Sequence, residues 1–191
     1  GAFDFGVGAS RGARVWSAAG YEAGKEAKGQ LRRLAAEFMG WSGEAITMED
    51  GHLVNGSDGR VKIEEIVGRA LKGKRDDIVI TSKVFARIGP GPNDTGLSRY
   101  HIMREIDQSL SRLETDHLDV YILHGWDEST PLEETMRALD DLVTAGKTRY
   151  VGVSNFQAWQ VMKALWTQDQ LTVDPLICIQ NPYNLLNRAL E

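Results

Sequence analysis

The sequence is poor in several features that would define a protein class at once. Among its 191 residues there is one cysteine and there are five prolines, and no apolar run approaches the length of a membrane-spanning helix. Because Cys178 stands alone, the chain can form no intramolecular disulfide and no cysteine-based zinc site, and we expect a reducing, cytoplasmic environment. No initiator methionine and no basic-then-apolar leader opens the chain, which favours a processed, trimmed or partial product.

The charge pattern argues against a nucleic-acid partner. The chain has 22 Lys and Arg against 27 Asp and Glu, a formal net charge of -5, and the two signs are mixed in both halves without a basic face. Hydrophobic content of 42% and charged content of 26% are typical of a soluble, folded protein. The length fits one domain or two small ones.

From residue 77 onward the sequence alternates short apolar runs with segments of helical period. This alternation predicts an α/β fold with a parallel sheet, built here from about four strand-helix units. The predicted strands are residues 78–81, 118–123, 150–153 and 176–179.

The helices between these strands have recognisable ends and faces. One is predicted to begin near Ser98, and the next has Thr130 as N-cap, Pro131 in its first turn and Glu133 completing a capping box. A third, residues 156–167, is predicted to bury some of its large side chains, namely Trp159, Met162, Leu165 and Trp166.

Residues 1–66 have a different pattern. After a glycine-rich opening, the sequence predicts one long helix over 16–39, stopped by Gly40, then small hairpins and a helix over 64–71. The opening, residues 6–12, resembles a phosphate loop but matches neither nucleotide motif in spacing. We therefore expect two segments, 1–66 as a small α+β segment and 67–191 as the α/β segment.

Polar side chains follow every predicted strand, and the carboxyl ends of parallel strands meet at one edge of the sheet. An amine, an imidazole, a hydroxyl and carboxamides would gather there, enough to hold a carbonyl substrate and a nicotinamide amide. The residues in question are Ser82 and Lys83, His124, Ser154 and Asn155, and Gln180 and Asn181.

Each of these residues also has a purely structural interpretation. Lys83 taken alone suits a solvated loop, His124 suits a hydrogen-bonded histidine under a loop, and Ser154 with Asn155 suits a helix cap. The acidic residues nearby, Asp116, Asp119 and Asp127, show no paired spacing, so no metal site is predicted.

Several segments together resemble the aldo-keto reductases in order and spacing, over about residues 68–191. The branch related to potassium-channel beta subunits is the most similar. The matching segments are residues 76–84 (DDIVITSKV), 113–124 (LETDHLDVYILH), 131–146, 151–156 (VGVSNF) and 180–183 (QNPY).

The resemblance implies a (β/α)8 barrel, of which about four strand-helix units are present, and NADPH as cofactor. It implies that Lys83 lowers the pKa of a catalytic tyrosine and that His124 orients the substrate carbonyl. It also implies that Ser154, Asn155 and Gln180 hold the nicotinamide carboxamide for hydride transfer.

The sequence departs from the family where the acid should be. No Asp-Thr-Ala-x-x-Tyr-Gly motif precedes Lys83, and the strands whose loops grip the cofactor phosphates would follow Glu191. Tyr21, Tyr100 and Tyr183 lie outside any such motif. We therefore expect a partial barrel with impaired carbonyl reduction.

Residues 1–66 resemble part of the large subunit of molybdenum hydroxylases of the xanthine dehydrogenase and isoquinoline oxidoreductase type, through residues 8–12, 34–37 and 50–54. The chain would then be a fusion of two partial oxidoreductase segments. Two alternatives to carbonyl reduction follow: a fragment of a molybdopterin-dependent hydroxylase, and a non-enzymatic module that self-associates through an open sheet edge.

Overall fold

The computed structural model describes residues 9–57, 59–183 and 188, with side chains from residue 21 onward. The chain divides into two compact units, Gly1–Ala70 and Leu71–Glu191. Residues 6–8 of the glycine-rich opening lie outside the described residues, and residues 9–12 form the first turn of a helix.

The first unit pairs one long helix with a small antiparallel sheet. Gly40, with φ of 68°, ends the long helix, and Asp50 and Gly51, both with positive φ, form the turn of the first hairpin. The core consists of Ala35, Ile46, Leu53, Val61 and Ile66. The elements are α1 (Ala9–Met39), β1 (Ile46–Glu49), β2 (His52–Asn55), β3 (Arg60–Lys62) and α2 (Ile63–Leu71), with strand order β1-β2-β3.

The second unit is a four-stranded parallel sheet with a helix after each of its first three strands. Its strand order, β4-β5-β6-β7, follows the chain, so β4 and β7 are the two edges of the sheet among the described residues. This confirms the predicted α/β fold. The elements are β4 (Thr81–Val84), α3 (Arg99–Leu113), β5 (Leu118–Leu123), α4 (Leu132–Thr144), β6 (Thr148–Ser154), α5 (Ala158–Leu171) and β7 (Cys178–Gln180).

The two faces of this sheet have different environments. Val84, Leu123 and Val153 lie in one row across the sheet, are at most 3% exposed, and pack in the same core as residues of α3 and α4. Lys83 and Cys178, one residue earlier on the two edge strands, are exposed on the opposite face because neighbouring residues of a strand alternate between faces. The helices therefore cover one face of the sheet, and the side chains of Lys83 and Cys178 lie on the other.

Two strands start later than the sequence predicts. The run 78–81 is not itself the strand: Val79 is 73% exposed, a turn of 3-10 helix ends just before Ile78, and pairing with β5 begins only at Thr81. The last strand begins at Cys178, two residues later than predicted. Apolar composition does not fix a strand start, because cross-strand hydrogen bonding decides it.

A predicted helix cap is wrong, and a predicted buried helix face holds in part, for Leu165. Helix α4 has Pro131 as its N-cap and no side-chain cap, because the Thr130 hydroxyl donates instead to Asp127 over 2.8 Å. Helix α5 leaves Trp159, Met162 and Trp166 more than half exposed, and buries smaller or polar side chains, among them Ala164 and Thr167. Of the four side chains named in the prediction, Leu165 is half-buried, and Val161 and Leu171 of the same helix pack against the core.

Two other predicted features hold. Ser98 caps α3, accepting a hydrogen bond from the backbone N–H of His101 over 3.3 Å. Gly146, with φ of 71°, follows the last turn of α4. Within the described part of the chain, no helix is both long and apolar enough to cross a membrane.

Candidate active site at the carboxyl edge of the parallel sheet

Three of the predicted site residues lie on one face at the carboxyl end of the parallel sheet. Lys83 is paired with Ile122, which is paired with Gly152, and Ser154 is paired with Gln180. Paired residues of parallel strands point to the same face, and so do residues two apart in one strand. Lys83, Ser154 and Gln180 therefore share the face that the helices leave uncovered.

Lys83 lies inside a strand, which the sequence did not predict. It is the third residue of β4, with an exposed side chain, and was expected in the loop that follows a strand. Strand pairing fixes its backbone, so the interpretation of Lys83 as an ordinary loop lysine does not fit the structure.

His124 directly follows β5 and has an exposed side chain. Its backbone N–H donates to the carbonyl of Val84 over 2.9 Å, so the β4–β5 ladder continues through His124. Its carbonyl accepts a hydrogen bond from the side-chain amide of Asn155 over 2.8 Å. Both backbone groups of His124 are therefore fixed, one by each neighbouring strand end.

The segment after His124 is held by packing. Gly125 lies against the ring of Phe85, since a Cβ at Gly125 would lie 3.1 Å from Cε1 of that ring. The Trp126 ring makes edge-on contacts with the rings of Phe156 and Trp159, at centroid distances of 5.3 and 5.5 Å. This packing limits how far His124 can move.

Asp127 supports the same segment, and sequence reasoning missed this role. Its carboxylate accepts hydrogen bonds from the backbone N–H of Leu97 (2.7 Å), both the backbone N–H and the hydroxyl of Ser129 (2.8 and 2.5 Å), and the hydroxyl of Thr130. Burial pushes the pKa of Asp127 upward, but these donors outweigh it and the pKa is lowered. An Asp followed two and three residues later by Ser and Thr was the available signal.

Ser154, Asn155 and Gln180 are joined by hydrogen bonds across the ends of β6 and β7. The Ser154 hydroxyl donates to the Gln180 carbonyl over 2.6 Å, and the backbone N–H of Asn155 donates to the same carbonyl over 3.3 Å. The side chain of Gln180 is exposed and forms no hydrogen bond to another protein group within the described residues. Asn181 faces the opposite way, donating its amide to the Phe156 carbonyl over 2.8 Å.

The helix-cap interpretation of Ser154 and Asn155 is wrong. The N-cap of α5 is Gln157, which forms a capping box with Gln160. Asn155 has φ of 58°, a left-handed conformation that Asn tolerates better than most residues, and it forms the turn before the helix. Its side chain is directed to the sheet edge and not to the helix.

These side chains have the chemistry for a polar organic ligand. An ammonium and an imidazole on one side, and hydroxyl and carboxamide groups on the other, can bind a carbonyl oxygen and a primary amide. Within the described residues, no three His, Cys, Asp or Glu side chains are grouped so as to hold a metal ion.

Comparison with known proteins covers the same part of the chain. The model of the "Aldo/keto reductase family" matches residues 59–191. A "Probable voltage-gated potassium channel subunit beta" of Arabidopsis thaliana is 42% identical over 130 residues, which cover 66% of this chain and 39% of that protein. An "L-glyceraldehyde 3-phosphate reductase" of Escherichia coli O157:H7 is 37% identical over 132 residues, which cover 67% of this chain and 38% of that protein.

The chain spans about two-fifths of the length of these curated relatives. The family match begins at residue 59, and neither it nor the relatives support the resemblance of residues 1–66 to molybdenum hydroxylases. The parallel sheet, the residues at its carboxyl edge and the family match agree, and the chain belongs to the aldo/keto reductase family of oxidoreductases.

Proposed function

We propose that the carboxyl edge of the β4–β7 sheet binds the nicotinamide of NADP(H) and a small carbonyl substrate, for reduction of the carbonyl to an alcohol. The observation that supports this is that Lys83, His124, Ser154, Asn155 and Gln180 are brought to one edge of one sheet although they are spread over 98 residues of sequence. Family membership supplies the reaction class.

The residues present fit the amide end of a nicotinamide. Gln180 offers an exposed side-chain carboxamide that forms no hydrogen bond within the described residues, and Asn155 offers a side-chain oxygen. The Ser154 hydroxyl donates to the Gln180 carbonyl and accepts from Asn155, so one acceptor position remains on a side chain that is only 4% exposed. Bound there, the cofactor would supply the hydride, and these three residues would orient its ring.

Lys83 and His124 would act on the substrate. The ring of His124 is exposed on a fixed backbone and can present an N–H to the carbonyl oxygen, which aligns the carbonyl and polarises it. Lys83, the last residue but one of its strand, places a positive charge beside the oxygen on which negative charge develops. Both groups stabilise an alkoxide without themselves being consumed.

We propose that turnover by this chain is impaired, because the family's tyrosine acid has no counterpart here. Tyr150 is on the same face of the sheet as Lys83, but it lies two strands away, on β6. It pairs with Val120, whereas Lys83 pairs with Ile122, so Tyr150 is also two residues further from the carboxyl edge of the sheet. Strand and residue spacings put the two Cα atoms about 12 Å apart. Tyr121 is fully buried and belongs to the helix-covered face.

A fluorescence titration with NADPH tests the binding proposal. Trp126, two residues after His124, is placed to report on occupancy of the site. We expect saturable quenching of tryptophan emission in the wild type and a dissociation constant raised about tenfold in Gln180→Ala, the loss of one or two hydrogen bonds. Gln170→Ala, which removes an exposed glutamine from α5, is the matched control and should leave the constant unchanged.

Three results would count against the proposal. Absence of saturable quenching in a folded sample would rule out the proposed nicotinamide site. An equal rise of the dissociation constant in Gln180→Ala and Gln170→Ala would show that the cofactor does not bind at Gln180. Equal quenching by NADH would remove the preference for NADP(H). Oxidation of NADPH by an aromatic aldehyde, followed at 340 nm, tests the impairment, because fast turnover would require an acid that we have not identified.

A further inference from the structure

Asn155 connects three strand ends through one side chain and one backbone group. Its side-chain Nδ2 donates to the His124 carbonyl over 2.8 Å and to the Ser154 hydroxyl oxygen over 3.2 Å. Its backbone N–H donates to the Gln180 carbonyl over 3.3 Å. The contacts link the histidine proposed for the substrate to the residues proposed for the cofactor.

The backbone conformation of Asn155 makes this connection. With φ of 58° the chain turns sharply after β6, and the Asn155 side chain is directed back toward the end of β5. Asn, Asp and Gly adopt this conformation with little strain, whereas for most other residues it raises the free energy of the fold by about 1–2 kcal/mol. Helix capping does not account for an asparagine here, because Gln157 caps α5.

Both hydrogens of Nδ2 have acceptors inside the protein, so only Oδ1 is left for a ligand. We infer that Asn155 is a positioning residue for His124: its side-chain amide holds the His124 carbonyl and so limits where the imidazole can lie. This inference does not depend on the proposed function.

Two substitutions at this position test whether the Asn155 side chain holds His124. Asn155→Asp keeps the left-handed turn and an acceptor oxygen, but a carboxylate cannot donate to the His124 carbonyl. Asn155→Gly keeps the turn and removes the side chain. Ser154→Ala is the control, because it removes a neighbouring hydroxyl and leaves the bond between Asn155 and His124 in place.

The first readout needs no cofactor. In NMR spectra of the full chain, we expect the amide of His124, which donates to Val84, to exchange about tenfold faster in Asn155→Asp and Asn155→Gly, with its ring signals shifted, and to be unchanged in Ser154→Ala. Unchanged His124 signals in both Asn155 variants would overturn the inference. An equal effect in Ser154→Ala would overturn it too, since the effect would then be general to the sheet edge.

A measurement on the wild type covers the case in which the variants fail to fold. The Asn155 side-chain amide should show one proton protected from exchange and close to the backbone amide of Gly125, which follows the accepting carbonyl. A rapidly exchanging side-chain amide without that contact would overturn the inference.

The NADPH titration separates this inference from the proposed function. Failure of the wild type to bind NADPH would refute the proposed function and leave the His124 result standing.

Discussion

Tyr121, a single side chain in the core, has a polar atom without a partner. Its ring is fully buried between the sheet and the helices, and its hydroxyl has no hydrogen-bond partner among the described residues. Burial is the main reason that the pKa of Tyr121 is raised, because the phenolate would be the more costly form to bury. Here an apolar ring of the same shape would serve as well as tyrosine.

We predict that Tyr121→Phe leaves the free energy of unfolding unchanged or raises it by up to about 1 kcal/mol, since it removes an unsatisfied buried group. Urea denaturation followed by circular dichroism is the measurement. Tyr150→Phe, at a position where the ring is 53% exposed, is the control and should be neutral. A loss of more than about 1 kcal/mol in Tyr121→Phe would show that the hydroxyl has a partner after all.

Asp119 is a buried carboxylate that has both an ion-pair partner and a hydrogen-bond donor. Its carboxylate is 2.9 Å from a guanidinium nitrogen of Arg75 and accepts the backbone N–H of Ile80 over 2.8 Å, with Arg149 at 3.6 Å. Burial pushes the pKa of Asp119 upward, but the Ile80 N–H and Arg75 outweigh it and the pKa is lowered. A carboxyl with a lowered pKa stabilises the fold above the unfolded-state value of about 4, and this contribution is lost as pH falls through the folded-state pKa.

We therefore predict that Asp119→Asn lowers the free energy of unfolding by about 3 kcal/mol at pH 7, because the guanidinium of Arg75 loses its ion pair at a largely buried site. The deficit should shrink as pH falls from about 4 through the lowered folded-state pKa of Asp119, where the wild-type carboxylate becomes protonated. Denaturant unfolding at pH 7 and at acid pH checks both parts. Glu128→Gln, on an exposed glutamate, should be neutral at both, and a pH-independent deficit at Asp119 would contradict the charge argument.

Between elements, the contact of β6 with β7 depends on one glycine. A Cβ at Gly152 would lie 2.5 Å from Sγ of Cys178 and 3.0 Å from its carbonyl oxygen. We predict that Gly152→Ala costs about 1–3 kcal/mol by overpacking, and that the cost is smaller in a Cys178→Ala background, where only the carbonyl contact remains. A double-mutant cycle in urea measures this, with Gly29→Ala, where nothing lies within 4 Å, as the control. Equal costs in both backgrounds would contradict a role for the sulfur.

At the scale of the whole chain, the two compact units have hydrophobic cores of unequal size. Among the residues whose side chains the structure describes, the core of the second unit has seventeen buried apolar residues and that of the first has five. Stability grows with the apolar area removed from water, so we predict that amides of β1–β3 exchange through openings of lower free energy than amides of β5 and β6. Hydrogen exchange read by mass spectrometry checks this. Equal protection in both units would show that they unfold as one.

Self-association through a sheet edge stays a prediction. Strand β7 is an edge among the described residues, and Ile177 and Ile179 beside and within it are about half exposed. An exposed edge with apolar side chains favours pairing with another chain. Light scattering should then show a mass that rises with concentration. A monomer mass at every concentration would exclude it.

Local sequence patterns were enough for the order and type of the elements. Strand β5 was predicted with its observed bounds, because all six of its residues are apolar except Asp119 and turns flank it on both sides. The Gly40 and Gly146 stops and the Ser98 cap depend only on neighbouring residues. The late start of β4 and the exposed tryptophans of α5 were missed, because they depend on which surface another element covers.

The sequence by itself determined which chemical groups lie near the carboxyl end of each strand and, through family resemblance, which reaction to expect. Only the tertiary structure decided that Lys83 lies within a strand, that Gln157 and not Asn155 caps α5, and that the Asn155 amide bonds to the His124 carbonyl. The reason is that composition and spacing act over a few residues. A hydrogen bond between residues 31 positions apart exists only once strand pairing has fixed both backbones.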